Sequence, residues 1–164
     1  MSFESVLRGP SSRPAVVIDT NVVLDLFVFQ DPRVRRLHHH LVLRHLLWLA
    51  TEPMMDELAD VLGRPLIARV CPDPALVMAQ ARAWCTLVTP PEAPSIAAPV
   101  CADPDDQIFI DLAWCWPASW LLTRDRALLD LAARAQARQL GIMTPARWPG
   151  LEDTATDFAM PASA

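Results

Sequence analysis

The sequence predicts an α/β protein: a single-domain, three-layer α/β/α sandwich around a central parallel sheet of about five strands. Short apolar runs alternate with longer amphipathic stretches, which is the pattern of βαβ units with helices on both faces of the sheet. A length of 164 residues suits one domain with a proper core, and neither an internal repeat nor a shift in composition divides the chain. The first β-branched run, Val16, Val17 and Ile18, stops abruptly at Asp19-Thr20-Asn21 before a helical pattern begins. That places a carboxylate at the carboxyl edge of the sheet, where open α/β sheets bind ligands.

The elements follow in order. Residues 15–18 form the first strand, and residues 22–29 the first helix, with Val22, Val23, Leu26 and Phe27 on its buried face and Asp25 away from it. Asp31-Pro32 restarts the chain as an amphipathic helix over residues 33–45, where Val34, Leu37 and Leu41 alternate with Arg and His. Residues 46–50 make strand two. Thr51 suits the N-cap of a helix carrying Met54, Met55, Leu58, Val61 and Leu62, which Gly63-Arg64-Pro65 stops. A helical turn at 66–70 precedes a helix from Asp73-Pro74 to Trp84, and residues 87–89 are strand three. The proline-rich residues 90–102 cross back over the sheet. Asp103 then caps a helix with Pro104 at its first position, Pro117 ends it, and residues 119–123 are strand four. Asp125 caps a helix running from Arg126 towards Arg138, and residues 140–143 close the sheet before the Thr144-Pro145 turn. On this reading residues 1–13 are a flexible N-terminus, 14–150 the domain and 151–164 a loosely ordered tail.

Composition removes many chemistries. All 14 basic residues are Arg, so there is no Walker A lysine and no Schiff-base lysine. With four Gly there is no glycine-rich phosphate cradle, and neither a Gly-x-Ser-x-Gly elbow nor a His-Glu-x-x-His helix occurs. Cys71, Cys85, Cys101 and Cys115 lack Cys-x-x-Cys spacing and read as reduced, mostly buried thiols. No apolar run approaches the ~18 residues of a membrane span, and the N-terminus has no signal-type apolar region, so the expected location is cytoplasmic.

Acids remain, and four stand out by position. Asp19 ends strand one, Asp125 follows strand four, Asp106 opens a helix directed at the same edge, and Glu57 lies beside a buried stripe that reaches over it. Ordinary explanations exist for three of them. Asp125 is an N-cap, Asp106 offsets a helix dipole, and Glu57 is a solvated helix acid like Asp56 or Asp60. Capping explains Asp19 less well, because Thr20 and Asn21 cap equally.

Val-Ile-Asp-Thr-Asn-Val at 17–22 resembles the opening motif of PIN-domain nucleases. Glu57-Leu58, in a helix ending Val61-Leu62-Gly63-Arg64-Pro65, is similar to the second motif of one bacterial subgroup. Asp103-Pro104-Asp105-Asp106 and then Leu122-Thr123-Arg124-Asp125 with Leu128-Leu129 resemble the remaining motifs, and Gly141 to Pro145 the closing strand. The resemblance covers roughly residues 15–148 and rests on motif order more than on any single motif. It implies a metal-dependent endoribonuclease of the kind found as the toxin of toxin–antitoxin pairs. Asp19, Glu57, Asp106 and Asp125 are then the catalytic, metal-binding acids, with Asn21 and Thr123 as polar helpers. The implied partners are an RNA substrate, an antitoxin protein and a second copy in a homodimer. Two positions depart from the pattern: residue 124 is Arg where the subgroup usually has Gly, and Asp103 competes with Asp106 as the ligating acid. Asp106 is favoured, with Asp103 as the cap.

Residue chemistry points the same way. Carboxylates crowded at low effective dielectric repel strongly, so either some are protonated or a hard cation neutralises them. Oxygen-only ligands favour Mg²⁺ or Mn²⁺ over zinc. The formal charge of −5 is unfavourable for a polyanion, yet setting the four site acids aside leaves 15 acids against 14 Arg. Arg33, Arg36, Arg64 and Arg124 are the candidate RNA contacts, with a solvated basic face as the plainer reading of the 33–45 helix. The His38–His40 run is at most an opportunistic metal binder. A haloacid-dehalogenase-type phosphatase also places an Asp after strand one, but Asn21 stands where its second Asp belongs and the chain has no Lys. A catalytically silent scaffold of PIN type, binding a protein or RNA partner, is the other alternative, and metal titration separates it from the nuclease.

Overall fold

A computed structural model describes residues 13–92 and 97–151. Most of the expected terminal segments therefore lie outside the described residues, as does part of the crossing loop. Strand β1 (Ala15–Ile18) is buried along its whole length, as a central strand covered on both faces must be. It pairs in parallel with β2 (Leu47–Ala50) on one side and β4 (Ala118–Leu122) on the other. The edges are β3 (Cys85–Leu87) beside β2 and β5 (Gly141–Met143) beside β4, giving the parallel order β3-β2-β1-β4-β5.

That order decides where the helices lie. The chain steps outward from β1 through β2 to β3, then returns to β4 and steps outward the other way. Right-handed crossovers therefore put α1 (Thr20–Leu24), α2 (Arg35–Val42), α3 (Glu52–Leu62), α4 (Pro65–Ala68) and α5 (Pro74–Trp84) on one face. On the other lie α6 (Gln107–Cys115), α7 (Arg126–Leu129) and α8 (Ala132–Ala135). The three layers of the sequence reading are present, and the strand order reverses between β1 and β4.

Several elements differ from expectation. The first helix starts earlier, at Thr20, and widens after Leu24 into a π-helical turn over Asp25–Phe29 that ends at Gln30 in the left-handed region. Asp25, expected off the buried face, is itself buried, because the wider turn carries it inward towards Arg124. Strand β3 begins two residues early, directly at the end of α5, since its register with β2 sets Cys85 opposite Trp48. The helix expected from 126 to 138 breaks into α7, α8 and a 3₁₀ turn, where Leu131 N–H bonds Leu128 O three residues back. All four cysteines are free thiols, but only Cys71 and Cys101 are buried, Cys115 being exposed and Cys85 half-buried.

A strap after β5 closes the fold. Trp148 is fully buried, edge-on to Trp120 of β4 and to His40 of α2. His40, read as part of the polar face, is consequently buried. Arg36 is drawn to the same strap, donating from Nη1 to the carbonyls of Trp148 and Pro149. Gly150 has a φ of +84°, and a Cβ there would stand 2.9 Å from Arg36 Cδ. Gly150→Ala is therefore expected to lower the unfolding free energy by roughly 1–2 kcal/mol, read by urea denaturation. An unchanged midpoint would show that the strap adjusts freely.

Candidate active site

Strand pairing brings the site residues together. Asp19 N–H bonds Leu122 O, which carries the β1–β4 ladder one residue past the end of β1 and sets Asp19 beside Thr123. This is the topological switch point of the sheet, the crevice where open α/β folds bind ligands. Glu57 reaches the edge from α3 in one helical layer, and Asp106 from the 3₁₀ turn Pro104–Asp106 ahead of α6 in the other.

Asp19 is only 4% exposed. Thr123 Oγ1 donates to Asp19 Oδ2 at 2.6 Å and accepts the N–H of Asp125 at 2.8 Å, so one hydroxyl fixes two acids. Asp125 Oδ1 in turn caps α7 by accepting Ala127 N–H at 2.7 Å. The capping explanation of Asp125 is thus correct as geometry, and it leaves the other carboxylate oxygen without a role in the cap. Thr20 Oγ1 donates to Glu57 Oε2 at 3.2 Å, which turns this acid into the edge and leaves Asp56 and Asp60 exposed. The sequence reading treats Thr20 only as an alternative cap. Its signal is a hydroxyl on the first helical residue after the strand-end acid.

Asp103 and Asp106 separate cleanly. Asp103 is exposed and its side chain accepts Asp105 N–H as a cap. Asp106 turns inward, and its Oδ2 is buried without a hydrogen-bond partner.

Electrostatics follow from this crowding. Burial pushes the Asp106 carboxyl up to about 7, helped by the charges of Asp19, Asp125, Asp103 and Glu57. Burial also raises Asp19, against the lowering effect of the Thr123 hydrogen bond, and Asp125 raises it further. Glu57 is raised by burial and by Asp19, while the Thr20 hydrogen bond and Arg64 lower it. Asp106 thus feels all three of the other site acids, Asp19 feels Asp125, and Glu57 feels Asp19. Among the described residues, however, no three His, Cys, Asp or Glu side chains close into a ready coordination shell. The acids stand near enough to repel without being gathered around one point.

Such a set still fits a hard divalent cation. Its donors are oxygens alone, one of them is buried and unpartnered, and the mutual repulsion is what a cation relieves. Thr123→Val, which removes the shared hydroxyl and orphans Asp125 N–H, is expected to cost about 1–3 kcal/mol of stability in thermal or urea unfolding. A loss below that range would mean that Asp19 and Asp125 are held by other contacts.

The arginines distribute differently. Arg33 is bound to Asp31 at 2.6 Å and Arg36 to the strap carbonyls, and neither pairs with any of the four acids. Arg64 acts on Glu57 and, among the described residues, pairs only with Asp60, through an exposed i,i+4 contact at 3.2 Å. Arg124 turns to Asp25, with Nε 2.7 Å from Oδ2 and Nη2 3.0 Å from Oδ1, while its N–H bonds Asn21 Oδ1 at 3.3 Å. A separate cavity of about 400 Å³ between the π-helical turn, α2 and α5, lined by Phe27, His38 and Trp84, contains none of the four acids.

Among the described residues no helix is long and apolar enough to cross a membrane. No curated protein and no solved structure matches the chain. A family model described as PIN domain matches residues 15–127, well over half of the chain and the stretch that holds Asp19, Glu57, Asp106 and Asp125. The chain therefore belongs to the PIN-domain family, whose members are generally nucleases.

Proposed function

We propose that the protein is a metal-dependent endoribonuclease that hydrolyses RNA phosphodiester bonds, working as the toxin of a toxin–antitoxin pair in the cytoplasm. One observation supports the chemistry above all. Asp106, with a buried oxygen that no group among the described residues satisfies, feels the charges of four other carboxylates at the switch point of the sheet. Asp19, Asp106, Asp125 and Glu57 would hold Mg²⁺ or Mn²⁺. When bound, the ion neutralises the acids, activates a water and stabilises charge on the phosphodiester.

The chain's own residues do the rest. Thr123 keeps Asp19 Oδ2 and the Asp125 backbone in fixed relation, and Asn21 holds the turn between them. Burial and the neighbouring carboxylates raise the Asp106 carboxyl to about 7, so this acid would hold a proton near neutral pH in the metal-free protein and would be one of the metal's ligands. Glu57, raised by burial and held by the Thr20 hydroxyl, would serve either as a ligand or as the acid that takes a proton from water. For the polyanion, Arg64 is the foremost contact, because its side chain is 62% exposed and lies beside Glu57. Arg33, Arg36 and Arg124 are engaged elsewhere and contribute at most field.

The test is cleavage of an end-labelled single-stranded RNA with Mg²⁺ or Mn²⁺, with and without EDTA. Cleavage that EDTA abolishes and that Asp19→Asn and Asp106→Asn each remove supports the reading. Activity surviving both substitutions sinks it. A silent scaffold would retain RNA without cleaving it and take up no Mn²⁺.

A further inference from the structure

Asp25 has no part in the acidic site as described, yet its side chain is 4% exposed and carries a charge. Its partner is Arg124, the residue between Thr123 and Asp125. We propose that Asp25 is a positioning residue: it latches the Arg124 guanidinium, so that this cation is kept from neutralising the site acids and the turn bearing Thr123 and Asp125 stays fixed. The proposal rests on the metal-site reading and deepens it.

The turn is pinned through all of its residues. Thr123 Oγ1 meets Asp19, Arg124 N–H meets Asn21, Arg124 Nε and Nη2 grip both oxygens of Asp25, and Asp125 Oδ1 caps α7. A two-point guanidinium–carboxylate fork is strong and directional, and it holds the side chain to one rotamer. Net stability is a poor explanation for it, since the Arg124 side chain is 39% exposed and such a pair gains little against the cost of burying Asp25.

The charges show what the latch achieves. Arg124 acts on Asp25 and Asp31. The charges that raise Asp106 are all carboxylates, and Glu57 feels Arg64 instead. Asp19 and Asp106 thus have no arginine partner among the described residues, although Arg124 sits in the turn between Thr123 and Asp125. Released from Asp25, that guanidinium would find its preferred partners in the same carboxylates and compete with a divalent cation for them. The π-helical turn has a role here, because it is what brings Asp25 inward to the strand-end turn.

The experiment is calorimetric titration of the whole chain with Mn²⁺, with folding checked by thermal unfolding. Asp25→Asn is expected to weaken Mn²⁺ binding about tenfold, the scale of one loose charge beside the site. Adding Arg124→Met is expected to restore affinity to within about threefold of wild type, because no free cation then remains. A merely structural Asp25 predicts the opposite, a double variant no better than the single one. Should Asp25→Asn alone not fold, Asp25→Asn/Arg124→Lys and Asp25→Asn/Arg124→Met differ only in a charge on similar stems, and the Lys form must bind Mn²⁺ more weakly. Equal affinity of wild type and Asp25→Asn, or of the Lys and Met forms, overturns the proposal alone. Wild-type protein that takes up no Mn²⁺ overturns the metal-site reading and the latch with it.

Discussion

Asp19→Asn is expected to reduce metal-dependent RNA cleavage at least about a hundredfold while leaving a folded protein that is more stable than wild type without metal. The two effects have one cause. Asn keeps the shape of the side chain and an acceptor oxygen for Thr123 Oγ1, so the hydrogen bonds joining β1 to the Thr123–Asp125 turn survive. What disappears is a charge on a group 4% exposed, raised by burial and opposed by Asp125. A carboxyl raised above its unfolded value of 3.8 costs stability once pH passes that value, so its removal relieves the metal-free protein at neutral pH. The same charge is what a divalent ion needs. Cleavage assays with Mn²⁺, paired with thermal unfolding in EDTA, check both halves. A variant less stable than wild type in EDTA would make Asp19 a structural residue, and undiminished cleavage would remove it from the site.

Much of this arrangement is legible in the sequence, for reasons that can be named. Asp19 follows β1 directly and Asp125 comes three positions after the end of β4, and in a parallel sheet the carboxyl ends of all strands lie on one edge. Asp106 is legible through Asp103-Pro104, because a cap and a first-turn proline fix where the helix starts and hence which acid turns inward. Helical phase places Glu57 beside Met54 and Leu58. The unreadable parts are those made by distant pairing or by irregular backbone. Thr20 meets a partner 37 positions away and Asp25 one 99 positions away, and no local period carries that information. A run of Leu, Phe and Val after Asp25 reads as ordinary α-helix, so the π-helical turn that buries Asp25 leaves no periodic trace. Trp148 lies beyond the last strand in a proline-flanked segment that reads as a turn, yet it fills a gap between α2 and β4.

This division bears on how the site operates. The readable acids lie at strand ends (Asp19, Asp125), a helix start (Asp106) and a helix face (Glu57), whereas Thr20, Thr123 and Asp25 determine how those acids are presented. A hydroxyl holds each of Asp19 and Glu57, and the Asp25 carboxylate holds Arg124, the arginine between Thr123 and Asp125. The metal-free site is therefore kept repulsive by neighbouring side chains.

Asp106→Asn carries the second large effect, and pH reveals it. In the metal-free protein Asp106 is pushed from 3.8 up to about 7. Between those values the folded state holds a proton that the unfolded state has released, so stability must fall as pH rises and level off above about pH 7. Asp19 and Glu57, also raised, add to the same slope. The expected record is a melting temperature in EDTA that declines by a few degrees from pH 5 to about pH 8, and declines less in Asp106→Asn. Mn²⁺ reverses the trend, because ligation displaces the proton from Asp106 and the stabilisation by metal grows with pH up to about 7. Asp106→Asn should abolish most of that gain and lower cleavage at least about a hundredfold, with no rescue at higher pH. A variant that keeps the wild-type slope in EDTA would show that Asp106 does not hold the proton. One that loses the slope yet keeps both the Mn²⁺ gain and cleavage would confine Asp106 to electrostatics and leave Asp19, Asp125 and Glu57 to bind metal without it.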